Sequence, residues 1–437
     1  MNYKEALAFL NDPRWSGSKP GLERTRELLA SLGNPEKKLK FVHVVGTNGK
    51  GSTAACIASC LRAAGYRTGL YTSPYVLRFN EQIQINGEQI PDNELGEATL
   101  AVAPFAVAMS DSPTQFELIT ALALNYFYNK GCDIVVLEAG MGGELDATNV
   151  IGAPEAAVIC PIAYDHCQWL GSSLAEIAAV KGGIIKKGCD VAIFGSGAEA
   201  DSVIEQKCAE TGAKIYRPDF TQLSIISSGL NGCRFDYGRL KNVFLPLAGA
   251  YQPKNAAFAI TVLDLLKDRG WNIKDTDIIS GLKTVNWPGR YEVLRQNPTF
   301  ILDGSHNPHG MKATADSLKR HFGGRKLIFL VGVMADKDIP AMMSFIAPMA
   351  ERFIAVEPPN PRAMKPQALA ELLFKLFGKP SSYYNSIEEG VEAAIASAGT
   401  EGVVVALGSL YFSGQVRAAV NNIMPETVHI SVPVLTR

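Results

Sequence analysis

Apolar and polar positions along the chain alternate between two periods. Phe41 to Val45 is a short, β-branched apolar run, and Lys50 to Ala64 reads as a helix. Thr68 to Tyr71 and Asp133 to Leu137 repeat the strand pattern around the helical stretch Gln115 to Asn129, and Ala156 to Ile159 adds another apolar run. Apolar strands separated by amphipathic helices predict a mainly parallel sheet covered on both faces. Ser73 to Pro91 interrupts the alternation. Its EQIQING has strand periodicity and ends on the turn pair Asn86-Gly87, so a long ordered loop is expected there. Leu223 to Pro246, with short β-like pieces around Asn231-Gly232, predicts a small antiparallel patch before a closing helix, Lys254 to Lys267.

After Asn286-Trp287-Pro288-Gly289 the alternation restarts. Thr299 to Leu302, Leu327 to Val331, Arg352 to Val356 and Val403 to Leu407 read as strands, with helices such as Met311 to Phe322 between them. A Pro-Gly pair flanked by two complete α/β patterns marks a domain boundary. The expected division is 1–290 and a smaller 291–437, both α/β, within a chain of 437 residues.

Charge narrows the partners. With 42 Lys plus Arg against 43 Asp plus Glu, the chain has no global field for nucleic acid or an anionic membrane, so anionic ligands must be met by local groups. The longest nearly unbroken apolar run, Leu100 to Met109, contains Pro104 and is far below the roughly 18 residues that span a bilayer. The start, MNYKEALAFLNDPRW, lacks the basic and apolar regions of a signal peptide. A cytoplasmic monomer acting on small molecules is expected. The eight cysteines show no zinc-type spacing and are expected as small reduced core residues.

GTNGKGS, Gly46 to Ser52, follows a strand and opens a helix, where backbone N–H groups and the helix dipole can cradle phosphates. Gly49 and Gly51 would let the backbone approach the ligand, with Lys50 as the cation for terminal phosphates; the alternative is a tight turn. Ser73 follows a strand and would sit at the sheet's carboxyl edge, although a turn or cap also explains it. Glu138 ends an apolar strand beside AGMGG, a placement suited to Mg²⁺ on a nucleotide. His166, preceded by Asp165, lies beyond another strand. Lys181 closes the helical stretch Ser173 to Val180, where a C-terminal cation is itself favourable. DGSHNPHG brings Asp303, His306, Asn307 and His309 into one loop after a strand, and Arg290 follows the hinge, able to reach a phosphate or to pair between domains.

Taken in order, SGSKPGLERTRELLASLGNP, HVVGTNGKGST, TSPYVLRFNEQIQING, LEAGMGGELDATN, AYDHCQWLG, WPGRYEVL, LDGSHNPHG, GVMADKDI and GSLYFSGQVR resemble the folylpolyglutamate synthase and dihydrofolate synthase family of the Mur ligase superfamily. The resemblance runs almost end to end. It implies a P-loop-type N-terminal ATPase domain, a Rossmann-like C-terminal domain and ATP between them. Gly49, Lys50, Gly51 and Ser52 match the family's glycine loop, and Asn255, Arg290 and Asp303 match its further ATP contacts. Ser73, Glu138 and His166 match Mg²⁺ ligands, and Lys181 matches the lysine whose carbamate holds a second Mg²⁺. Thr114, Gln115, Phe116 and Asp146 match pterin-side contacts, and His306 is expected on the substrate side. Val180 stands where the family usually has Glu, Tyr75 where His is frequent, Glu144 where Arg is frequent and Ser305 where Ala is frequent. The implied activity is ATP-dependent addition of L-glutamate to a folate, and to dihydropteroate as a second substrate. The rivals are a Mur-type ligase for another acid and amino acid, and a nucleotide-binding switch that makes no bond.

Overall fold

The computed structural model describes residues 1–423; the end of the expected second domain, 424–437, lies outside them. The first apolar runs form Phe41–Val45 (β1), Thr68–Tyr71 (β2), Ile83–Ile85 (β3), Glu88–Gln89 (β4), Ile134–Glu138 (β5), Ala156–Ile159 (β6), Asp190–Ile193 (β7) and Ile215–Tyr216 (β8). They make one sheet in the order β4-β3-β2-β5-β1-β6-β7-β8. From β2 to β8 all pairings are parallel. Every residue of β1, β2, β5 and β6 is buried, as central parallel strands require. Val42 and Val44 pack in one core with the helices Lys50–Ala63 and Gln252–Asp268, while Phe41 packs in another with Gln115–Asn129.

Leu223–Gly229 (β9), Gly232–Tyr237 (β10) and Leu240–Leu245 (β11) form the antiparallel patch. The last sheet contains Glu292–Gln296 (β12), Thr299–Leu302 (β13), Leu327–Val331 (β14), Ala350–Ala355 (β15), Ser381–Tyr383 (β16) and Val403–Leu407 (β17), ordered β12-β13-β17-β14-β15-β16. It is parallel except for the edge pair β12–β13.

Two expectations need correcting. Ser73 to Pro91 is an arm of the main sheet, because β3 pairs antiparallel with β2 (Gly69 opposite Ile85, Tyr71 opposite Ile83) and β4 adds to its edge. Cys167 is exposed, whereas the other seven cysteines are buried and all eight are free; it opens a four-residue helix on a loop outside the sheet layers.

The parallel strands place their carboxyl ends together. The segments after β1, β2, β5 and β6 therefore emerge at one edge, and those after β13 and β14 emerge at the corresponding edge of the last sheet. Between the helix Asp275–Lys283 and β12 runs a connection containing Trp287 and Arg290. Among the described residues no helix is long and apolar enough to cross a membrane.

Candidate active site

At that shared edge lies a cavity of about 620 Å³, walled by both sheets' loops. Gly49, Lys50, Gly51, Ser52, Ser73, Glu138, His166, Lys181, Asn255, Arg290, Asp303 and His306 all line it. The glycine loop folds as its residues allow. Gly46 has φ 150°, and a Cβ there would fall 2.5 Å from the Cys160 Cβ; Gly49 has φ 82° and caps the helix Lys50–Ala63 without a side-chain hydrogen bond. The first-turn N–H groups thus face the cavity edge without a side-chain cap, the arrangement that receives anions. A Cβ on Gly51 would collide with the Trp287 ring, so the connection between the sheets lies directly against the loop. The Lys50 ammonium reaches the Thr47 carbonyl only at 3.4 Å.

Glu138 is the last residue of β5 and is 4% exposed. Burial raises its carboxyl above the usual range, opposed by Lys50, Arg290 and the Ser73 backbone N–H. Lys181 sits in the last turn of the helix Leu174–Gly182, which begins with a capping box between Ser173 and Glu176. Its Nζ turns inward, is buried, and donates to the Gly46 carbonyl at 3.0 Å. Burial, reinforced by Lys50, lowers the amine to about 7. Neutral, nucleophilic amine is therefore abundant at physiological pH.

His166 has φ 52°, and its backbone N–H donates to Asp165 Oδ1 at 2.9 Å. Burial lowers its imidazole pKa against the pull of Asp165. Asp165 is held well below the usual carboxylate range: burial opposes ionisation, but His166, His306 and Lys337 outweigh it. Lys337, beyond β14, pairs with Asp165 at 2.7 Å, and Asn307 Nδ2 donates to Oδ2 at 2.9 Å. Asn48 of the glycine loop meets Asn307 at 3.1 Å and the His309 ring at 2.9 Å.

Some predicted residues serve the walls. Asp303 accepts from Ser305 N (2.9 Å), Thr314 Oγ1 (2.9 Å), Tyr291 N (2.8 Å) and Tyr251 Oη (3.1 Å), so it organises the loop after β13. Asn255 donates to Gln252 at 3.1 Å. The four expected pterin-side residues are not among those lining the cavity. Thr114 caps the helix Gln115–Asn129, and Gln115 binds the Leu10 carbonyl and Asn11. Phe116 packs where a Cβ of the cavity-lining Gly140 would stand. Asp146 accepts from Met141 N (2.8 Å), Thr148 N (3.0 Å) and Thr148 Oγ1 (2.5 Å), which makes it the organiser of the loop after β5. Sequence reasoning passed over Tyr251, Lys254, Lys312 and Asp316, which also line the cavity; Tyr251 only precedes a helix, and the other three lie on helices, where their spacing looks like ordinary surface patterning.

Among the described residues no three His, Cys, Asp or Glu are grouped to hold a metal unaided. A buried carboxylate with one backbone donor, on a cavity wall that also carries Ser73 and His166, nevertheless suits Mg²⁺, which takes few protein ligands and completes its shell with phosphate and water.

The Mur ligase middle domain family matches residues 44–263, and the Mur ligase glutamate ligase domain family matches residues 289–410. A folylpolyglutamate synthase of Lacticaseibacillus casei is 36% identical over 95% of this chain and 98% of its own. The dihydrofolate synthase/folylpolyglutamate synthase of Bacillus subtilis is 33% identical over 95% and 98%. Among solved structures, Thermotoga maritima folylpolyglutamate synthase superposes with TM-score 0.82 at 32% identity, covering 96% of this chain and 97% of that one. An FPGS–AMPPCP–folate complex gives 0.83 at 34% identity, covering 95% and 99%. Full-length similarity, together with both Mur domains, places this chain in the folylpolyglutamate synthase/dihydrofolate synthase family of Mur ligases.

Proposed function

We propose that the cavity binds ATP and that the chain uses it to join L-glutamate to a folate. The single observation carrying this reading is the convergence of an uncapped glycine-loop helix, an unpaired buried carboxylate and loops of both sheets on one cavity. Relatives named for folylpolyglutamate synthesis, and solved structures bound to the ATP analogue AMPPCP, support it. Relatives named for both activities support dihydropteroate as a second acceptor.

A carboxylate is a poor electrophile, because its delocalised negative charge repels a nucleophile, and its oxide is a poor leaving group; phosphorylation relieves both. The substrate carboxylate attacks the γ-phosphorus, giving an acyl phosphate and ADP. The neutral amine of glutamate then attacks the acyl carbon, loses a proton, and expels phosphate as the amide forms. Gly49, Gly51 and Ser52 hold phosphate through backbone N–H groups, Lys50 and Arg290 offset charge on the transferring group, and Asn255 and Asp303 shape the nucleotide end. Ser73, Glu138 and His166 would hold Mg²⁺, which screens phosphate charge when bound. Lys181 would add its neutral amine to CO₂, releasing a proton and becoming an anionic carbamate that serves a second Mg²⁺; the low pKa supports this. His306 faces the acyl-acceptor side. Thr114, Gln115, Phe116 and Asp146 are the pterin-side residues: Phe116 packs behind Gly140, Thr114 and Gln115 fix the start of its helix, and Asp146 orders the loop after β5. The division is 1–290 for nucleotide and pterin and 291–437 for glutamate ligation, and docking of the two excludes water from the acyl phosphate. The working form is a cytoplasmic monomer.

Mass analysis after incubation with Mg·ATP, L-glutamate and either a reduced folate or dihydropteroate tests the reading. A product heavier by one glutamyl residue, with ADP release requiring both substrates, is expected. ADP release indifferent to glutamate and acceptor would overturn it in favour of a nucleotide switch.

A further inference from the structure

The two lobes meet around one buried acid. Asp165, on the loop after β6, is 8% exposed at its side chain and pairs at 2.7 Å with Lys337, 11% exposed, on the loop after β14. Its other oxygen accepts from Asn307 at 2.9 Å and lies 3.7 Å from His306 Nε2, both from the second lobe. No other residue pair makes a salt bridge between residues 1–290 and those that follow, among the described residues. The oxygen that takes Lys337 also receives the backbone N–H of His166, at 2.9 Å. One atom therefore joins a cation of the second lobe to the backbone of a residue that lines the ATP cavity of the first.

His166 holds φ 52°, a left-handed conformation uncommon for a non-glycine residue and kept in place by local constraint. The constraint visible here is Asp165, and Asp165 in turn is fixed by Lys337 and Asn307. Withdrawing the second lobe would remove the cation and the amide that fix Asp165 and open its side chain to water, so it would swing outward or toward the His166 ring, 3.8 Å away at Nε2. Either motion moves the His166 backbone.

We propose that Lys337 is a positioning residue for the ligase reaction: through Asp165 it sets the His166 loop, so that the first lobe's reacting groups are in register only while the second lobe is docked. This rests on the reading of the cavity as an ATP-dependent ligase site. The consequence is chemical. Acyl phosphate formation by an undocked lobe would expose the intermediate to hydrolysis, and coupling His166 to Lys337 withholds the reacting arrangement until the glutamate-side lobe is in place.

The test uses the full chain with Lys337→Met, Lys337→Arg and the double variant Asp165→Asn/Lys337→Met. Amide exchange across residues 163–168, measured with AMPPCP and Mg²⁺ bound, needs no turnover and so stands apart from the choice of substrate. Lys337→Met should speed exchange there while leaving residues 46–52 protected, and Lys337→Arg should restore protection. In turnover, Lys337→Met should lower kcat by about a hundredfold, with the AMPPCP Kd little changed. The double variant removes the uncompensated charge, so it should recover thermal stability without recovering kcat. Unchanged exchange at 163–168, or a double variant that regains kcat together with stability, would overturn the proposal. A wild-type protein that shows the exchange pattern but ligates no glutamate would instead refute the ligase reading and leave the docking linkage standing.

Discussion

Replacing Lys181 by Met should make the protein more stable while abolishing ligation. The side chain is 3% exposed and its amine falls from an ordinary 10.5 to about 7, chiefly through burial. At about 1.4 kcal/mol per tenfold change in proton affinity, this fall amounts to roughly 5 kcal/mol against folding when the group must enter charged. Loss of the hydrogen bond to the Gly46 carbonyl, 3.0 Å long, returns about 1–3 kcal/mol of that. A net gain of about 2–4 kcal/mol is expected at pH 6.

The sign of the pH dependence follows from the depressed value. Between about 7 and 10.5 the unfolded chain carries a proton on Lys181 that the folded chain lacks, so wild-type stability rises with pH across that interval. Below 7 both states are protonated and the full penalty applies. From pH 6 to pH 9 the Met variant's advantage should shrink by about 3 kcal/mol, which narrows the difference in Tm by on the order of 5 °C. Thermal unfolding at the two pH values, in chelator and without nucleotide or bicarbonate, reads this directly. A Met variant less stable than wild type at both pH values, or a constant difference between them, would refute the burial argument.

Glu138→Gln should stabilise the unliganded protein and sharply reduce Mg²⁺-dependent turnover, because the amide fills the same space without the desolvation that raises the carboxyl; calorimetric Mg·ATP titration and a melting curve check both parts. Thr148→Val should cost about 1–3 kcal/mol in urea unfolding, since it strands the buried His43 Nε2, 2.8 Å from the hydroxyl, and leaves Asp146 Oδ1 with the residue-148 backbone N–H alone. Arg24→Met should cost about 3–5 kcal/mol, because Glu117 is buried and takes two guanidinium hydrogen bonds at 3.0 and 2.9 Å. The same variant should raise KM for the pterin substrate more than for ATP, as Glu117 also fixes the Thr114 cap. Gly46→Ala should fold poorly or lose nucleotide binding, since its Cβ would strike Cys160; a fluorescent-nucleotide titration distinguishes the two.

The central strands and their helices were legible because burial on both faces writes unbroken apolar runs, and β1, β2, β5 and β6 carry such runs. The edge strands were not. β8 and β16 have two and three residues, so periodicity had too few positions to act on, while β3 shows its strand period within EQIQING but nothing local announces its pairing with β2. Glycine-loop and strand-end residues were readable because their chemistry is unusual for turns. Lys337 was quoted within GVMADKDI but carried no signal of its own, because an isolated lysine in a polar loop declares nothing until a partner 172 positions away is brought beside it. The pterin-side residues show the opposite case. Thr114 and Asp146 matched a family pattern, yet their side-chain acceptors are occupied by their own loops, a use that local sequence cannot distinguish from ligand contact.

Hydrogen-bond accounting separates the roles of the buried acids around the cavity. Asp146 receives three protein donors at 3.0 Å or less, Asp303 receives at least four within 3.1 Å, and Asp165 receives a lysine, an asparagine and a backbone N–H. Each of these has its acceptor oxygens taken up by protein donors, so each is fitted to hold structure. Burial drives the carboxyls of both Glu138 and Asp146 upward, but Glu138 has only the Ser73 N–H and the charge of Lys50 and Arg290 to offset it, whereas Asp146 has three donors from its own loop. Lys181 is the matching case of opposite sign, a buried amine with one carbonyl acceptor. These two groups are out of electrostatic balance in the ligand-free protein, and a divalent cation at Glu138 with an anionic carbamate at Lys181 would correct both. On the proposed reading, a divalent cation at Glu138 supplies the positive charge that lets a chain of formal charge -1 serve very anionic ligands, and that charge lies outside the residue count.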